Sequence, residues 1–289
     1  MEQAENSILS QPTTTMLLQQ LALVDHSKSL HAADLAQAAA ALQKQATRDL
    51  GPIWGIKATV DTFPDIKNVP VGYWPIIITE KIDDPSATGY HADKHHQPYA
   101  FVQIEKGWQL TCSHEMCEML VDPFGNRLIA SNSIKSGQGR VKYLVEVCDP
   151  CENASHGYSV NGVLLSDFYT PHYFDPVASP ATRYSFTGAL KKPREIKKGG
   201  YLSWYDPQTK KWWQATCFGS TPSIGELKGM KDNHSSLRSQ VDRLTKYPGK
   251  AKAMMRAFNG NVKNSQTNFD SNKAEGSHWE EVMKKHFKK

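Results

Sequence analysis

The spacing of apolar and polar positions divides the chain into three stretches. Residues 1–29 are polar and rich in Gln, Thr and Ser around one short apolar patch, Met16-Leu17-Leu18 to Leu21, and are expected to form a flexible N-terminal lead-in. From His31 to Asp49 the residues Leu35, Ala38, Ala39, Leu42 and Ala46 recur at steps of three and four, which predicts one buried helix face. Gly51-Pro52 should stop that helix. Strand patterns follow at Ile53–Val60, Tyr73–Thr79 and Tyr99–Ile104, the second a near-continuous apolar run of the kind a buried strand shows. Between the last two lies a turn-rich stretch, from Asp83-Asp84-Pro85 to Gly89-Tyr90-His91.

Residues 109–121 read as a second helix, ended by Asp122-Pro123. Further strands are predicted at Arg127–Ala130 and Val141–Val147, then a hairpin over Tyr158–Leu165 turned at Asn161-Gly162. Another hairpin spans Tyr201–Ala215, turned around Asp206-Pro207. Beyond Pro222 charge, Asn, Ser and Lys dominate, with helix expected at Ser236–Thr245 and near Trp279–His286. The pattern predicts an α+β domain over residues 30–222 and a basic, partly flexible segment over 223–289.

Charge sharpens that division. The net charge is +5, but residues 227–289 carry 14 Lys+Arg against 6 Asp+Glu, so the tail is +8 and the remainder −3. Such a tail suits an acidic partner or nucleic acid, and equally serves as a solubilising end. No apolar run of about 18 residues is present, which excludes a helical membrane span. The missing basic-then-apolar leader points to a cytoplasmic location, with export by a dedicated secretion system left open. Five cysteines in a chain this long suggest free thiols in a reducing compartment.

The chemistry is concentrated in Ser113-His114-Glu115-Met116-Cys117-Glu118. His114 and Glu118 are four residues apart, which places both on one helix face, a turn from each other. Both can then reach one zinc ion, for which imidazole nitrogen and carboxylate oxygen are ordinary ligands. Glu115, beside the His, is the candidate general base for a metal-activated water. A Glu in the place of the usual second His adds negative charge and admits harder ions such as manganese. The third ligand is sought in Glu146-Val147-Cys148-Asp149. Glu146 ends an apolar run, where an unpaired carboxylate is costly. Either Glu146 or Asp149 serves as metal ligand, the other orienting a ligand from behind.

Several ordered motifs extend beyond that helix. They are Asp49-Leu50-Gly51-Pro52-Ile53-Trp54-Gly55, Gly89-Tyr90-His91, Ser113–Glu118 with Asp122-Pro123, Glu146-Val147-Cys148-Asp149, Ser166-Asp167-Phe168 with Pro171-His172-Tyr173-Phe174, and Gly199-Gly200-Tyr201. In this series the chain resembles a poorly characterised family of bacterial and phage-type zincin-like proteins, over roughly residues 35–217. The resemblance implies a mixed sheet with a backing helix and a metal-binding active-site helix, and a zinc-dependent metallopeptidase acting on a peptide or protein substrate. It also implies an edge strand at Tyr99–Ile104 able to hold extended substrate, with His91 near the cleft. Tyr169, His172 and Tyr173 would line the same cleft as substrate contacts.

Two other readings compete with an amide hydrolase. Cys112, Cys117, Cys148 and Cys151 suggest a structural thiolate zinc site, although Cys112 and Cys117 would lie roughly 140° apart on a helix. Alternatively an inactive zincin-like fold serves binding or assembly, through the basic tail and through Lys210-Lys211-Trp212-Trp213, where charge adjoins stacking surface.

Overall fold

The computed structural model describes residues 17–82, 87–231 and 235–245. The expected turn at Asp83-Asp84-Pro85, the expected helix near Trp279–His286 and most of the N-terminal lead-in and basic tail lie outside the described residues.

The architecture is α+β, built on two five-stranded sheets. The first has the order β2-β1-β3-β5-β4, with β1 Leu18–Asp25, β2 Lys57–Phe63, β3 Trp74–Thr79, β4 Gly89–Lys94 and β5 Gln97–Gln103. The β1–β2, β1–β3 and β3–β5 pairs are parallel, whereas β4 runs antiparallel to β5 at the edge. Strand β1 is therefore central, although it falls in the stretch expected to be a lead-in. Its apolar core, Leu21-Ala22-Leu23-Val24, is fully buried on both faces. Four apolar residues after two glutamines do not announce a strand, but they satisfy a central parallel one.

Leu21, Leu23, Ile76, Ile78, Ala100 and Val102 share the main core with the apolar faces of helices α1 (Ala32–Lys44) and α3 (Trp108–Val121). Ala22, Val24, Ile77 and Phe101 point the other way, into a smaller cluster with Ile66 and Val69. Burying each Leu or Ile side chain of this kind contributes about 1.5–3 kcal/mol.

Helix α1 does not stop at Asp49. It widens into a π-helical turn at Gln45–Leu50 and continues as a single α-turn, α2, at Gly51–Trp54, before Gly55 (φ 69°) ends it. Pro52 stands early in that new turn, where a missing N–H is tolerated. Only glycine fits at position 51, since a Cβ would lie 2.6 Å from the Ile56 oxygen and 2.7 Å from that of Ala46. The strand expected from Ile53 consequently begins at Lys57. Gln45, where the widened turn begins, continues the helix face of Ala38, Ala41 and Leu42 and is fully buried. Its Oε1 accepts from the Ser113 hydroxyl (2.7 Å), and its Nε2 donates to the Ser166 carbonyl (3.0 Å). The Ser166 N–H in turn donates to Ser113 Oγ (2.8 Å).

The second sheet is antiparallel, order β12-β11-β10-β7-β6, from β6 Leu128–Asn132, β7 Arg140–Leu144, β10 Tyr201–Asp206, β11 Lys211–Thr216 and β12 Ser223–Glu226. A separate hairpin joins β8 Tyr158–Val160 to β9 Val163–Leu165 through Asn161 and Gly162 (φ 52° and 79°), the left-handed pair a tight hairpin turn requires. Residues 223–231 and 235–245, within the segment expected to be basic and partly flexible, supply β12 and helix α4 (Leu237–Leu244), which packs through Val241 on Leu144, Tyr201 and Leu227. Trp212 and Trp213 are half-buried rather than free for stacking, and Lys135 lies over the Trp213 ring at 4.7 Å. No helix among the described residues is long and apolar enough to cross a membrane.

Ser113 satisfies two buried groups at once, so Ser113→Ala strands both the Gln45 oxygen and the Ser166 N–H. Urea unfolding should show a loss of about 2–3 kcal/mol. An unchanged midpoint would mean that this network contributes nothing to stability.

Candidate metal centre

Helix α3 leaves Gly107, which adopts φ 89°, and is buried along nearly its whole length. A helix buried all round must place its polar residues against partners. His114 and Glu118 stack a turn apart, and His114 Nε2 lies 3.3 Å from Glu118 Oε2. The same nitrogen lies 3.3 Å from Asp149 Oδ1.

Asp149 arrives from the other sheet. Strand β7 ends at Leu144, three residues short of the expected Val147, because the chain there leaves the sheet. The Val145 N–H donates to the Arg127 carbonyl (3.0 Å), and the Tyr169 N–H donates to that of Val147 (2.7 Å). Glu146 is thereby held inward. A 3-10 turn at Asp149–Cys151 follows, and the Cys148 N–H donates to Glu118 Oε1 (3.2 Å). Gly200 packs against this turn: a Cβ there would meet the Pro150 carbonyl oxygen at 2.7 Å. The Gly199-Gly200-Tyr201 motif thus lets β10 pass close enough to fix Asp149.

The structure brings His114, Glu115, Glu118, Glu146 and Asp149 into one buried cluster. His91 joins it from β4. Its Nε2–H donates to the Asp122 carbonyl (3.1 Å), leaving Nδ1 at 3.6 Å from Glu115 Oε2 and 3.8 Å from Glu118 Oε2. His91 is in a strand rather than the expected turn. That strand, not Tyr99–Ile104, forms the sheet edge, because β5 is paired on both sides. Glu152, which sequence reasoning passed over, also has a carboxylate oxygen within 4.8 Å of ligand atoms on His114 and Asp149.

The other sequence-predicted contacts separate. Tyr169 is fully buried, with a hydroxyl that has no hydrogen-bond partner among the described residues. Tyr173 stacks on it (centroids 4.3 Å apart) but directs its own hydroxyl to the Glu195 carbonyl (2.8 Å). His172 is exposed and pairs with Asp175 at 2.9 Å, outside the cluster. His172, second in the 3-10 turn Pro171–Phe174, faces solvent while Tyr173 and Phe174 behind it face the core. All five cysteines are free and buried. Among the described residues, no group of three or more possible ligand atoms within 4.8 Å of one another contains two cysteines, so the four-thiolate site does not assemble.

The residue sequence reasoning missed altogether is Arg238, on α4. Its Nη2 donates to Glu115 Oε2 (3.1 Å) and Glu118 Oε2 (3.0 Å), and its Nε donates to Glu146 Oε2 (2.9 Å). Nη1 reaches Asp242 Oδ2 at 2.5 Å. Nothing in hydrophobic periodicity marks it, since three of its four acidic partners lie more than 90 residues away in sequence.

Charge in this low-dielectric volume displaces the acids in different directions. Burial favours neutral Glu118, yet His114 and Arg238 hold it well below the usual carboxylate range. Burial likewise opposes charge on Glu115, but Arg238, His91 and His114 bring it below its ordinary value. Burial opposes charge on His114, while Glu118, Cys148 and Asp149 keep it well above an ordinary imidazole. Asp149 goes the other way: burial, then the Glu118 charge, pushes it up to about 6. Burial also raises Glu146 well above its usual value despite Arg238.

Asp149 therefore binds its proton more tightly folded than unfolded. Its contribution to stability is fully present below its ordinary pKa of 3.8 and is lost as pH rises through about 6. In metal-free protein Asp149→Asn should flatten the fall in melting temperature between pH 5 and 7. An identical slope in both proteins would rule out a strained Asp149.

Comparison with known proteins returned no matching family model, no similar curated protein and no similar solved structure.

Proposed function

We propose that the chain is a metal-dependent hydrolase of peptide or related amide bonds, on a zincin-like scaffold. The observation that carries this reading is the convergence on His114 Nε2 of oxygens from Glu118 and Asp149, both at 3.3 Å. Alongside them, Glu146 Oε1 and Asp149 Oδ2 are buried without a hydrogen-bond partner among the described residues. An unsatisfied buried oxygen costs about 1–3 kcal/mol, more when charged, and a cation removes that cost. The donor set, one imidazole with carboxylates, fits zinc and tolerates manganese. His114, Glu118 and Asp149 would hold the ion, with Glu146 as a further oxygen donor. When bound, it supplies Lewis acidity toward a carbonyl oxygen and water.

The chain's own residues do the rest. Glu115, beside the ligand His, takes a proton from the attacking water and returns it to the leaving amine. His91, anchored through Nε2, presents Nδ1 to the same volume. Burial, then Tyr173 and the acids Glu146, Glu118 and Asp149, raises the Tyr169 hydroxyl well above its usual range. It therefore stays a neutral donor, suited to an oxyanion. The antiparallel edge strand β4, the backing helix α1 and the site helix α3 support the zincin-like reading of the scaffold. The ion pairs of Arg238 favour a second reading, an inactive protein of the same scaffold in which the guanidinium replaces a metal.

Elemental analysis separates the two. The hydrolase should carry about one zinc or manganese per chain, lost in His114→Ala. A metal-free wild type after reconstitution would leave the inactive reading. Glu115→Gln should keep the metal and lose about 10²-fold or more in turnover of a peptide library. Undiminished turnover would remove Glu115 as the base. Metal affinity should weaken as pH falls through about 6, where Asp149 takes up its proton. An affinity flat from pH 5 to 7.5 would argue against Asp149 as a ligand.

A further inference from the structure

Three of the four acids at the centre are engaged by one side chain, and that side chain is a cation. Glu118 Oε2 is shared: it lies 3.3 Å from His114 Nε2 and 3.0 Å from Arg238 Nη2. Glu146 meets Arg238 at 2.9 Å. A divalent ion held by His114 and Glu118 would therefore sit beside a buried guanidinium that competes for the same oxygens, and like charges repel strongly where water is excluded. Glu115 is in the same position. Its Oε2 accepts from Arg238 at 3.1 Å, so the proposed proton acceptor is already bonded.

Helix α4 is eight residues long, and its apolar residues Leu237, Val241 and Leu244 pack in a small cluster separate from the main core. Apart from Arg238 it is held by a few polar contacts: the Tyr201 hydroxyl donates to Asp242 (3.2 Å), Gln214 Nε2 to the Thr245 hydroxyl (2.7 Å) and the Lys231 N–H to Gln240 Oε1 (2.7 Å). Its start rests on one turn: the Arg238 N–H donates to the Gly125 carbonyl (2.9 Å), and the Leu237 N–H to Asn126 Oδ1 (2.9 Å). Gly125 has φ 59°, and a Cβ on it would touch Arg238 Cβ at 2.9 Å, so the docking site is shaped for close approach. Asp242, four residues on along α4, holds Arg238 Nη1. It would travel with the guanidinium, so undocking does not strip the charge bare.

We infer that Arg238 is a tethered cation that latches the centre, and that loading a divalent metal and releasing α4 are one event. This rests on the hydrolase reading above. With α4 docked the centre is latent, its carboxylates neutralised from within. With α4 released, Glu118 and Glu146 are open to metal and Glu115 is free to accept a proton.

The test uses the full chain, stripped of metal, with Zn²⁺ and Mn²⁺ as probes. Affinity is measured by competition with a chromophoric chelator for wild type, Arg238→Lys and Arg238→Met. Hydrogen exchange of residues 237–244 is followed in wild type across the same titration. We expect Arg238→Met to bind metal at least ten-fold more tightly than wild type, Arg238→Lys to fall between, and exchange protection of α4 to drop as metal loads. A folded Arg238→Met with unchanged or weaker affinity overturns the latch. So does a metal-saturated wild type whose α4 amides stay protected. Should Arg238→Met not fold, the wild-type exchange experiment decides alone. Metal uptake without α4 release sinks the latch but spares the hydrolase, whereas folded proteins that take up no metal sink both.

Discussion

Everything at the centre of this protein follows from placing several carboxylates where water cannot reach them. Glu115, Glu118, Glu146 and Asp149 are all buried within one cluster, and such charges are tolerated only when paired. Two cations do the pairing, and both reach Glu118 Oε2: His114 from the same helix, and Arg238 from α4, the last element among the described residues. Between them these contacts explain why Glu118 is firmly ionised while Glu146 and Asp149, left partly unpartnered, hold their protons more tightly.

The surrounding fold is arranged to keep that cluster in register. Helix α3 supplies three of its side chains, and its orientation is fixed by Ser113, which ties it to α1 through Gln45 and to the Ser166 backbone. The helical repeat itself carries Gln45 onto the buried face, a turn after Ala41 and Leu42, at the point where the π turn begins. On the other side, the second sheet delivers Glu146 and Asp149 on a segment that leaves β7 early, with Gly200 allowing β10 to lie against it. The cluster thus draws its side chains from helix α3 on one side and from the extension of β7 on the other.

Much of this was legible from the residues. The three- and four-residue recurrence of Leu35 to Ala46, the apolar run before Thr79 and the Asn161-Gly162 turn correspond to α1, β3 and the β8–β9 hairpin. The spacing of His114 and Glu118, and the cost of burying Glu146, picked out side chains that do meet in space. What was not legible depends on partners distant in sequence. The apolar run of β1, Leu21–Val24 after two glutamines, is too short to read as a strand from the sequence, and β2 and β3 make it one. Arg238 lies in a basic, polar stretch whose inward face is set by acids and not by apolar spacing. His172 belongs to a motif rich in plausible contacts, but only its neighbours face inward.

The central position of β1 also bears on how the chain is made. The strand at 18–25 is synthesised before either of its neighbours, yet both of its edges are hydrogen-bonded in the finished sheet. Until β3 has emerged, Leu21-Ala22-Leu23-Val24 presents apolar side chains and open backbone groups on two sides, an invitation to pair with the wrong strand. Sheet closure in this protein is a matter of waiting: the first strand out is the one that can be completed only after two later ones have appeared.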